Sequence, residues 1–225
     1  VKEVNGLEPV FFGFDKKNDI YAEEVESKGL AGTVFTAVTP KGKMRLRVNV
    51  PGHHMVSNAL AAVAIGLELG LDEKQIAAGV AAFKPVSGHS SIVETDRFTI
   101  MDDCYNANPV STKAGLDVLA EAEERKVAIL GDMFELGSDE RKLHYEVGEY
   151  AADKGIDCIV CAGELAKEYY DGAKAAGKTE GLYYFATRDE AVDRLKNIVK
   201  ENDAILVKAS HGMKFEKIVE VLKQM

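Results

Sequence analysis

The sequence predicts an α/β fold in which a mostly parallel, doubly wound sheet follows a smaller set of strands and a pair of helices. Short, continuous apolar runs recur from residue 98 onward, as in strands buried on both faces of a parallel sheet. Helical patterns separate these runs, and alternating strands and helices form crossover units. Polar residues follow several of the runs. Ligands bind such sheets outside the carboxyl ends of the strands, so we expect a ligand there.

The strands of the main sheet are predicted from apolar runs at residues 98–101, 126–132, 157–163, 182–185 and 204–210. Two of the intervening segments carry apolar stripes at helical spacing. The stripes are Leu143, Val147, Tyr150 and Ala151, and then Ala191, Val192, Leu195, Ile198 and Val199.

The region before the main sheet is predicted to begin with β structure. Strand-like runs span residues 10–14, 33–38 and 44–50, and the last alternates apolar and polar residues as a half-buried antiparallel strand does. Residues 54–69 form a mostly apolar helix that Gly70 ends, and Asp72 is the predicted N-cap of a second helix. Residues 83–89 are predicted to be a linker or hinge.

The composition excludes several classes of protein. The chain of 225 residues is long enough for one large or two medium domains. Its net charge of −9 argues against nonspecific binding of nucleic acid. No apolar run approaches the ~20 residues that cross a bilayer, so membrane insertion is not expected. The three cysteines cannot all pair, and reduced thiols favour a cytoplasmic protein. Cys158 and Cys161 lie within a predicted buried strand, which disfavours a zinc or redox site.

The polar segment DDCYNANP at residues 102–109 is the most informative part of the chain. It joins the end of a predicted strand to the start of a helix. Asp103, Asn106 and Asn108 are therefore candidate ligand-binding residues, although Asx residues also shape turns and cap helices. Two other predicted strands end near Asp132 and Lys208. Because parallel strands end at the same edge of a sheet, we expect Asp103, Asp132 and Lys208 to lie near each other.

Four segments in this order make the sequence resemble the Mur ligases of bacterial cell-wall synthesis, over essentially the whole chain. The strongest are DDCYNANP at residues 102–109 and GDMFELG at residues 131–137. PGHHMVSNALAA at residues 51–62 and VKASHGM at residues 207–213 support them. Within the family, the first two segments favour the members that add D-alanyl-D-alanine to UDP-N-acetylmuramoyl-tripeptide.

The resemblance implies that the chain is a fragment without activity of its own. Residues 1–86 would be the C-terminal part of the central ATPase domain, and residues 87–225 a complete, Rossmann-like C-terminal domain. The implied reaction phosphorylates the tripeptide carboxylate with ATP, and the amine of D-alanyl-D-alanine then attacks the acyl phosphate. ATP and Mg²⁺ would be bound mainly by an upstream region, since the chain contains no G-x-x-x-x-G-K-[ST] phosphate loop and starts at Val1 without a methionine. Processing or a compact β module is the alternative explanation of this start.

The resemblance also implies roles for individual residues. The nucleotide-binding candidates are His54, Asn58, His89, Asp103 and Asn106. The substrate-binding candidates are Asn108, Asp132, Glu135, Lys208, Ser210 and His211. No catalytic residue and no metal ligand is expected in this chain.

Structural alternatives stay open for several candidates. Asn58 is alternatively a helix N-cap or a polar side chain satisfied within the protein. Asp132 and Glu135 alternatively cap the helix that follows them, and Lys208 alternatively forms a surface ion pair. His144 matches a frequent family position and is interpreted as a helix-surface or structural residue.

The chain departs from the family pattern at five positions. Met55 stands where Asn is common, and His89 and His211 each stand where Arg is common. Cys104 replaces the usual Ser, and Ala209 replaces the usual Gly. Histidine cannot make the bidentate contact with phosphate that arginine makes, so these changes bear on phosphate and dipeptide affinity more than on the fold.

Other functions remain as alternatives. One is a standalone binding module for a nucleotide or amino acid, and another is a different Mur-type amide ligase. A nicotinamide-dependent oxidoreductase is disfavoured, because no G-x-G-x-x-G follows a predicted strand.

Overall fold

The protein, given by a computed structural model that describes Glu3, Gly6 and residues 8–225, consists of two compact units. The first extends to Lys84 and the second runs from Pro85 to Met225. Among the described residues, no helix combines the length and apolarity needed to cross a membrane.

The first unit packs a sheet of four strands against two helices. In sheet order the strands are β1 (Phe12–Gly13), β2 (Ile20–Ser27), β3 (Thr33–Thr39) and β4 (Gly42–Val48). β1 runs parallel to β2, and the other neighbours are antiparallel. β2 was not among the predicted strands, because the second half of this strand is exposed and rich in glutamate, which breaks the apolar pattern.

The two helices of the first unit are α1 (His53–Glu68) and α2 (Glu73–Ala82). Gly70 follows α1 with a φ of 78°, a left-handed conformation that suits glycine at a helix end. The carboxylate of Asp72 accepts a hydrogen bond of 2.8 Å from the backbone N–H of Gln75, and the Gln75 side chain accepts one from the Asp72 N–H. Both predicted helix boundaries, at Gly70 and at Asp72, are therefore confirmed.

The second unit contains a sheet of six strands. In chain order they are β5 (Ser91–Glu94), β6 (Phe98–Asp103), β7 (Lys126–Gly131), β8 (Cys158–Ala162), β9 (Leu182–Phe185) and β10 (Asp203–Lys208). Their order in the sheet is β5-β6-β10-β7-β8-β9. All are parallel except β5, which pairs antiparallel with β6 at one edge. β5 escaped the sequence analysis because it is short and only partly buried, so it has no continuous apolar run.

Helices cover both faces of this sheet, which confirms the predicted doubly wound α/β fold. They are α3 (Pro109–Ala120), α4 (Glu140–Asp153), α5 (Ala166–Ala175), α6 (Arg188–Ile198) and α7 (Glu216–Lys223). Leu195 of α6 and Ile218 of α7 belong to one buried cluster with Ile100, Ile129 and Ile205 of the sheet. On the other face, Gly115 of α3 lies against Leu206, and Tyr169 of α5 donates a hydrogen bond to the carbonyl of Gly131.

The strand register places several polar residues at one edge of the sheet. Lys208, the last residue of β10, is paired with Asp103 at the end of β6 and with Leu130 near the end of β7. The carboxyl ends of three adjacent strands therefore meet where the sequence analysis expected a ligand.

Candidate functional site

An ion pair between the buried Lys208 and the partly buried Asp103 lies at the carboxyl edge of the sheet in the second unit. The Nζ of Lys208 is 2.5 Å from Oδ2 of Asp103 and 2.9 Å from the carbonyl oxygen of Asn106. The other carboxylate oxygen of Asp103 accepts hydrogen bonds from the backbone N–H and the hydroxyl of Ser90, at 2.9 and 3.0 Å. The predicted approach of Asp103 and Lys208 is observed. The surface ion pair considered for Lys208 is wrong, because β6 and β7 flank its strand and leave the residue 2% exposed.

The neighbouring carboxylate, Asp102, holds the segment that enters the second unit. Its Oδ2 accepts hydrogen bonds of 3.0 Å from the hydroxyl of Ser87 and from the N–H of Gly88. The N–H of Tyr105 donates in turn to the carbonyl of Gly88, also at 3.0 Å. The last part of the predicted linker, residues 87–89, is therefore attached to the sheet edge rather than free. Asp102 was not among the sequence candidates, although two adjacent carboxylates at a strand end were a visible signal.

Three rings from different segments form a row at this edge, which we call the ring row. The ring centroids of His89 and Tyr105 are 4.3 Å apart, and those of Tyr105 and His211 are 5.1 Å apart. Tyr105 is 51% exposed, and both histidines are exposed. The row thus presents two imidazoles and a phenol to solvent. Tyr105 was not among the sequence candidates, because its packing between two distant histidines has no sequence pattern.

The two asparagines of the polar loop differ in environment. Asn106 directs its carbonyl to Lys208, and the residue is exposed. Asn108 is the N-cap of α3, and its Oδ1 accepts a hydrogen bond of 2.9 Å from the N–H of Ser111. The structural alternative considered for Asn108, helix capping, is therefore what the side chain does here.

Asp132 is buried at the start of α5, and not at the start of the helix that follows it in the chain. Its Oδ1 accepts a hydrogen bond of 2.7 Å from the N–H of Ala166, the first residue of α5, so capping of the helix that follows Asp132 in the chain is wrong. Burial raises the pKa of Asp132, although the N–H groups at the start of α5 oppose this shift. Gly163 makes room for this carboxylate. A Cβ there would lie 2.3 Å from Oδ1 of Asp132.

Hydrogen bonds join the loops that follow β7 and β10. The hydroxyl of Ser210 accepts one of 2.9 Å from the N–H of Phe134, and the N–H of Ser210 donates to the carbonyl of Asp132 at 3.0 Å. Glu135, which follows Phe134 in the chain, is exposed and has a φ of 63°, in the left-handed region that non-glycine residues seldom adopt. Ser210 therefore orders the loop that carries Glu135, while the Glu135 side chain faces solvent.

His144 stabilises the loop that follows β7 through hydrogen bonds of its ring nitrogens. Its Nε2 accepts a hydrogen bond of 2.8 Å from the N–H of Met133, and its Nδ1 is 2.6 Å from the carbonyl of Glu140. A carbonyl can only accept, so the proton is on Nδ1 and the imidazole is neutral. Burial lowers the pKa of His144. The helix-surface interpretation of this residue is wrong, and the structural one is correct, because the residue is fully buried.

The first unit contains a pocket of about 330 Å³ beside α1. Its lining is apolar except for Asn58, and it consists of Val48, Met55, Asn58, Ala59, Ala62, Gly79, Val80 and Phe83. Small-molecule pockets typically have about 300–1,000 Å³ and a few polar groups in an apolar wall. A flat heteroaromatic ring with a hydrogen-bonding edge fits this combination, because a carboxamide both donates and accepts.

Asn58 and His54 both lie on α1. The N-cap of α1 is Gly52, so the N-cap alternative for Asn58 is wrong. Its Nδ2 lies 3.5 Å from the sulfur of Met55, which orients the carboxamide beside the pocket. His54 is exposed in the first turn of the same helix.

The described part of the chain contains no group of three or more His, Cys, Asp or Glu side chains that could hold a metal ion. All three cysteines are buried and free. Burial raises the pKa of Cys158 to about 11, so its thiol is neutral and unreactive near neutral pH.

The fold is that of Mur ligases. Residues 90–211 match the family model described as the Mur ligase, glutamate ligase domain, and residues 2–66 match the Mur ligase middle domain. The chain therefore belongs to the Mur ligase family, as the four sequence segments predicted.

Within the family, the chain is similar to UDP-N-acetylmuramoyl-tripeptide–D-alanyl-D-alanine ligases. It is 36% identical to the enzyme of Escherichia coli over 196 residues, a match that covers 86% of this chain and 42% of the relative. It is 34% identical to the enzyme of Mycobacterium tuberculosis, over 92% of this chain and 45% of the relative. The chain thus spans less than half the length of these relatives.

Solved structures give the same result. A crystal structure of MurF from Acinetobacter baumannii aligns with a TM-score of 0.85 at 30% identity, over 95% of this chain and 46% of that one. A MurF ligase from Thermotoga maritima in complex with ADP aligns with a TM-score of 0.78 over 96% of this chain and 48% of that one. Its identity of 21% supports the fold alone.

Proposed function

We propose that this chain is part of an ATP-dependent ligase that joins D-alanyl-D-alanine to UDP-N-acetylmuramoyl-tripeptide. Membership of the Mur ligase family and the names of the similar enzymes support this reaction. The observation that carries the proposal is the sheet edge where Asp103, the ring row and Glu135 expose polar groups at the ends of adjacent strands. This is where open α/β sheets bind ligands.

In the second unit, Asp103 is the proposed ligand of the ATP ribose. A carboxylate has about four acceptor positions, and the ammonium of Lys208 and the two donors of Ser90 occupy three of them. About one position remains for a ribose hydroxyl, in a charge-assisted hydrogen bond. His89 and Asn106 are exposed beside it, and we propose that they contact the nucleotide as well.

In the first unit, the pocket at Asn58 is the proposed site for adenine. Its apolar walls would pack on the faces of the base, and the carboxamide of Asn58 would bond to the edge. His54, one turn earlier on α1, is a proposed second contact to the nucleotide.

The candidate residues for binding the dipeptide differ in solvent exposure. Glu135 and His211 are exposed, so we propose that Glu135 binds the ammonium of D-alanyl-D-alanine and His211 its carboxylate. The side chains of Asp132, Ser210 and Asn108 already hold backbone N–H groups, as described above. We propose that these three residues shape the dipeptide site without contacting the ligand.

The proposed chemistry explains why the ligands must be placed with care. A carboxylate is a poor electrophile, so its oxygen first attacks the γ-phosphorus of ATP and ADP leaves. The dipeptide amine then attacks the carbonyl carbon, loses a proton, and phosphate leaves. Orienting such reactants contributes up to about 7–11 kcal/mol to catalysis. Mg²⁺ would offset phosphate charge, and we propose that residues outside this chain hold it.

The nucleotide substrates and the free thiols support a cytoplasmic location.

The reaction can be tested with the complete protein that contains this chain. Given ATP, Mg²⁺, UDP-N-acetylmuramoyl-tripeptide and D-alanyl-D-alanine, it should release ADP and phosphate and form the pentapeptide product, detected by mass spectrometry. The chain of 225 residues alone should form none. Absence of product from the complete protein would overturn the proposal, and ligation by the isolated chain would overturn the fragment interpretation.

The adenine pocket can be tested with a matched pair of variants. Ala62 and Ala82 are both exposed helical alanines, but only Ala62 lines the pocket. Ala62→Phe should fill the pocket and raise the KM for ATP in the complete protein, whereas Ala82→Phe should leave it unchanged. Equal KM values for the two variants would place adenine elsewhere.

A further inference from the structure

Lys208 is a candidate ligand of the dipeptide by family resemblance, but its surroundings indicate another role. The residue is 2% exposed, and its ammonium already bonds to the Asp103 carboxylate and the Asn106 carbonyl. Its aliphatic stem passes along α3, where a Cβ at Gly115 would lie 3.7 Å from the Lys208 Cδ. An ammonium has three donor hydrogens, and two of them have partners, one at the end of β6 and one in the loop that follows it.

These contacts fix both ends of the segment that presents the exposed groups. Asp103 begins the segment and Asn106 ends it, so a single ammonium holds its first side chain and its last carbonyl. Tyr105 lies between them, and its N–H is bound to Gly88. With the backbone held in this way, the side chains of Tyr105 and Asn106 are exposed at the sheet edge.

We propose that Lys208 is a positioning residue for the nucleotide, which it serves by fixing Asp103 and the loop up to Asn106, and that it does not contact the dipeptide. This inference rests on the proposed ligase function. The ammonium offsets the charge of Asp103, and its hydrogen bond, together with those of Ser90, leaves about one acceptor position on a fixed carboxylate for a ribose hydroxyl. A buried charge with its partner fixed is costly to rearrange, which keeps the loop in one conformation.

Steady-state kinetics of the complete protein can separate the two roles. Lys208→Met should raise the KM for ATP roughly 10- to 100-fold, the range expected when a hydrogen bond to a charged group is lost. The KM for D-alanyl-D-alanine should change less than about twofold. Lys142→Met is the matched control, because the Lys142 side chain is 75% exposed on α4. It should leave both KM values unchanged.

A second pair of variants covers the case in which Lys208→Met does not fold. Asp103→Asn/Lys208→Met removes both charges and leaves no unpaired carboxylate, and Asp103→Asn alone is its reference. If Lys208 only positions the nucleotide loop, the two variants have the same KM for D-alanyl-D-alanine, and the double variant has the higher KM for ATP.

Two results would overturn the inference. A rise in the dipeptide KM on loss of Lys208 would make the residue a dipeptide ligand. A lower thermal stability with both KM values unchanged would make its role purely structural. Failure of the proposed function is distinguishable from either, because the wild-type protein would then form no ligation product.

Discussion

Mild acid is expected to destabilise the second unit through one buried imidazole, that of His144. Its Nε2 accepts the N–H of Met133 and its Nδ1 donates to the carbonyl of Glu140. A proton added at Nε2 would point toward the Met133 N–H, so this hydrogen bond would be lost and a charge would be left in the core. Burial accordingly lowers the pKa of His144 below its ordinary value of 6.5.

The sign and size of the effect follow from proton binding. Because the folded pKa is lowered, the unfolded chain binds more protons below pH 6.5. The stabilisation is fully present above this value and is lost as the pH falls, with a slope of at most about 1.4 kcal/mol per pH unit. Between about pH 7.5 and 5.5, His144 should therefore reduce the free energy of unfolding by at most about 1.4 kcal/mol.

The assay is urea unfolding at several pH values, followed by hydrogen exchange of the amides in β7, for the wild type and His144→Gln. Glutamine can accept from Met133 and donate to Glu140 but does not titrate. The difference in unfolding free energy between the two proteins should shrink as the pH falls. His53→Gln, at the exposed start of α1, controls for replacing a histidine elsewhere. A difference that is constant over this pH range would refute the reasoning.

Three further effects are expected. Gly163→Ala should destabilise the second unit by at least about 2 kcal/mol in urea unfolding, because its φ of 138° is unfavourable for alanine and the new Cβ would collide with the carboxylate of Asp132. Arg125→Met should cost about 3 kcal/mol in the same assay, because Asp203 is 1% exposed and its carboxylate loses a partner at 2.7 Å. None of the thiols, Cys158 included, should react with a thiol reagent in the native protein, because all three cysteines are buried.

Controls are available for each of these. Gly79→Ala has open space around the new methyl group and lies within α2, so it should be neutral or stabilising. Asp203→Asn/Arg125→Met should recover part of the loss, since it leaves no unpaired charge. In denaturing urea all three thiols should react. Equal losses of stability in Gly79→Ala and Gly163→Ala would contradict the steric argument for Gly163. No recovery of stability in the double variant would contradict the argument for the ion pair, and thiol labelling of the native protein would contradict the burial of the cysteines.

The sequence predicted the parallel strands because a strand buried on both faces has a continuous apolar run. It missed β2 and β5 because partly exposed strands lack that run and depend more on pairing with a neighbouring strand. Helix ends were predictable at Asp72 and Gly70, where a short-range hydrogen bond or a left-handed φ decides the boundary. Signals that act over a few residues were therefore visible in the sequence.

The candidate site was predictable as a place but not in its internal contacts. The ends of β6 and β10 had to meet, so Asp103 and Lys208 were expected to lie near each other. Which partner each group takes depends on distances set by the whole fold. Asp132 faces the start of α5, and Tyr105 lies between His89 and His211, although these residues are far apart in the chain. No sequence spacing carries that information.

The hydrogen bonds of Asp102 determine at which residue a polypeptide that contains only the second unit should begin. A recombinant polypeptide that began at β5 would lack Ser87 and Gly88, and the Asp102 carboxylate, only 2% exposed, would lose two of its donors. One that began at Pro85 would keep them. Exchange of this unit between proteins, in the laboratory or by natural recombination, is thus expected to preserve its integrity only when the crossover point lies before Ser87.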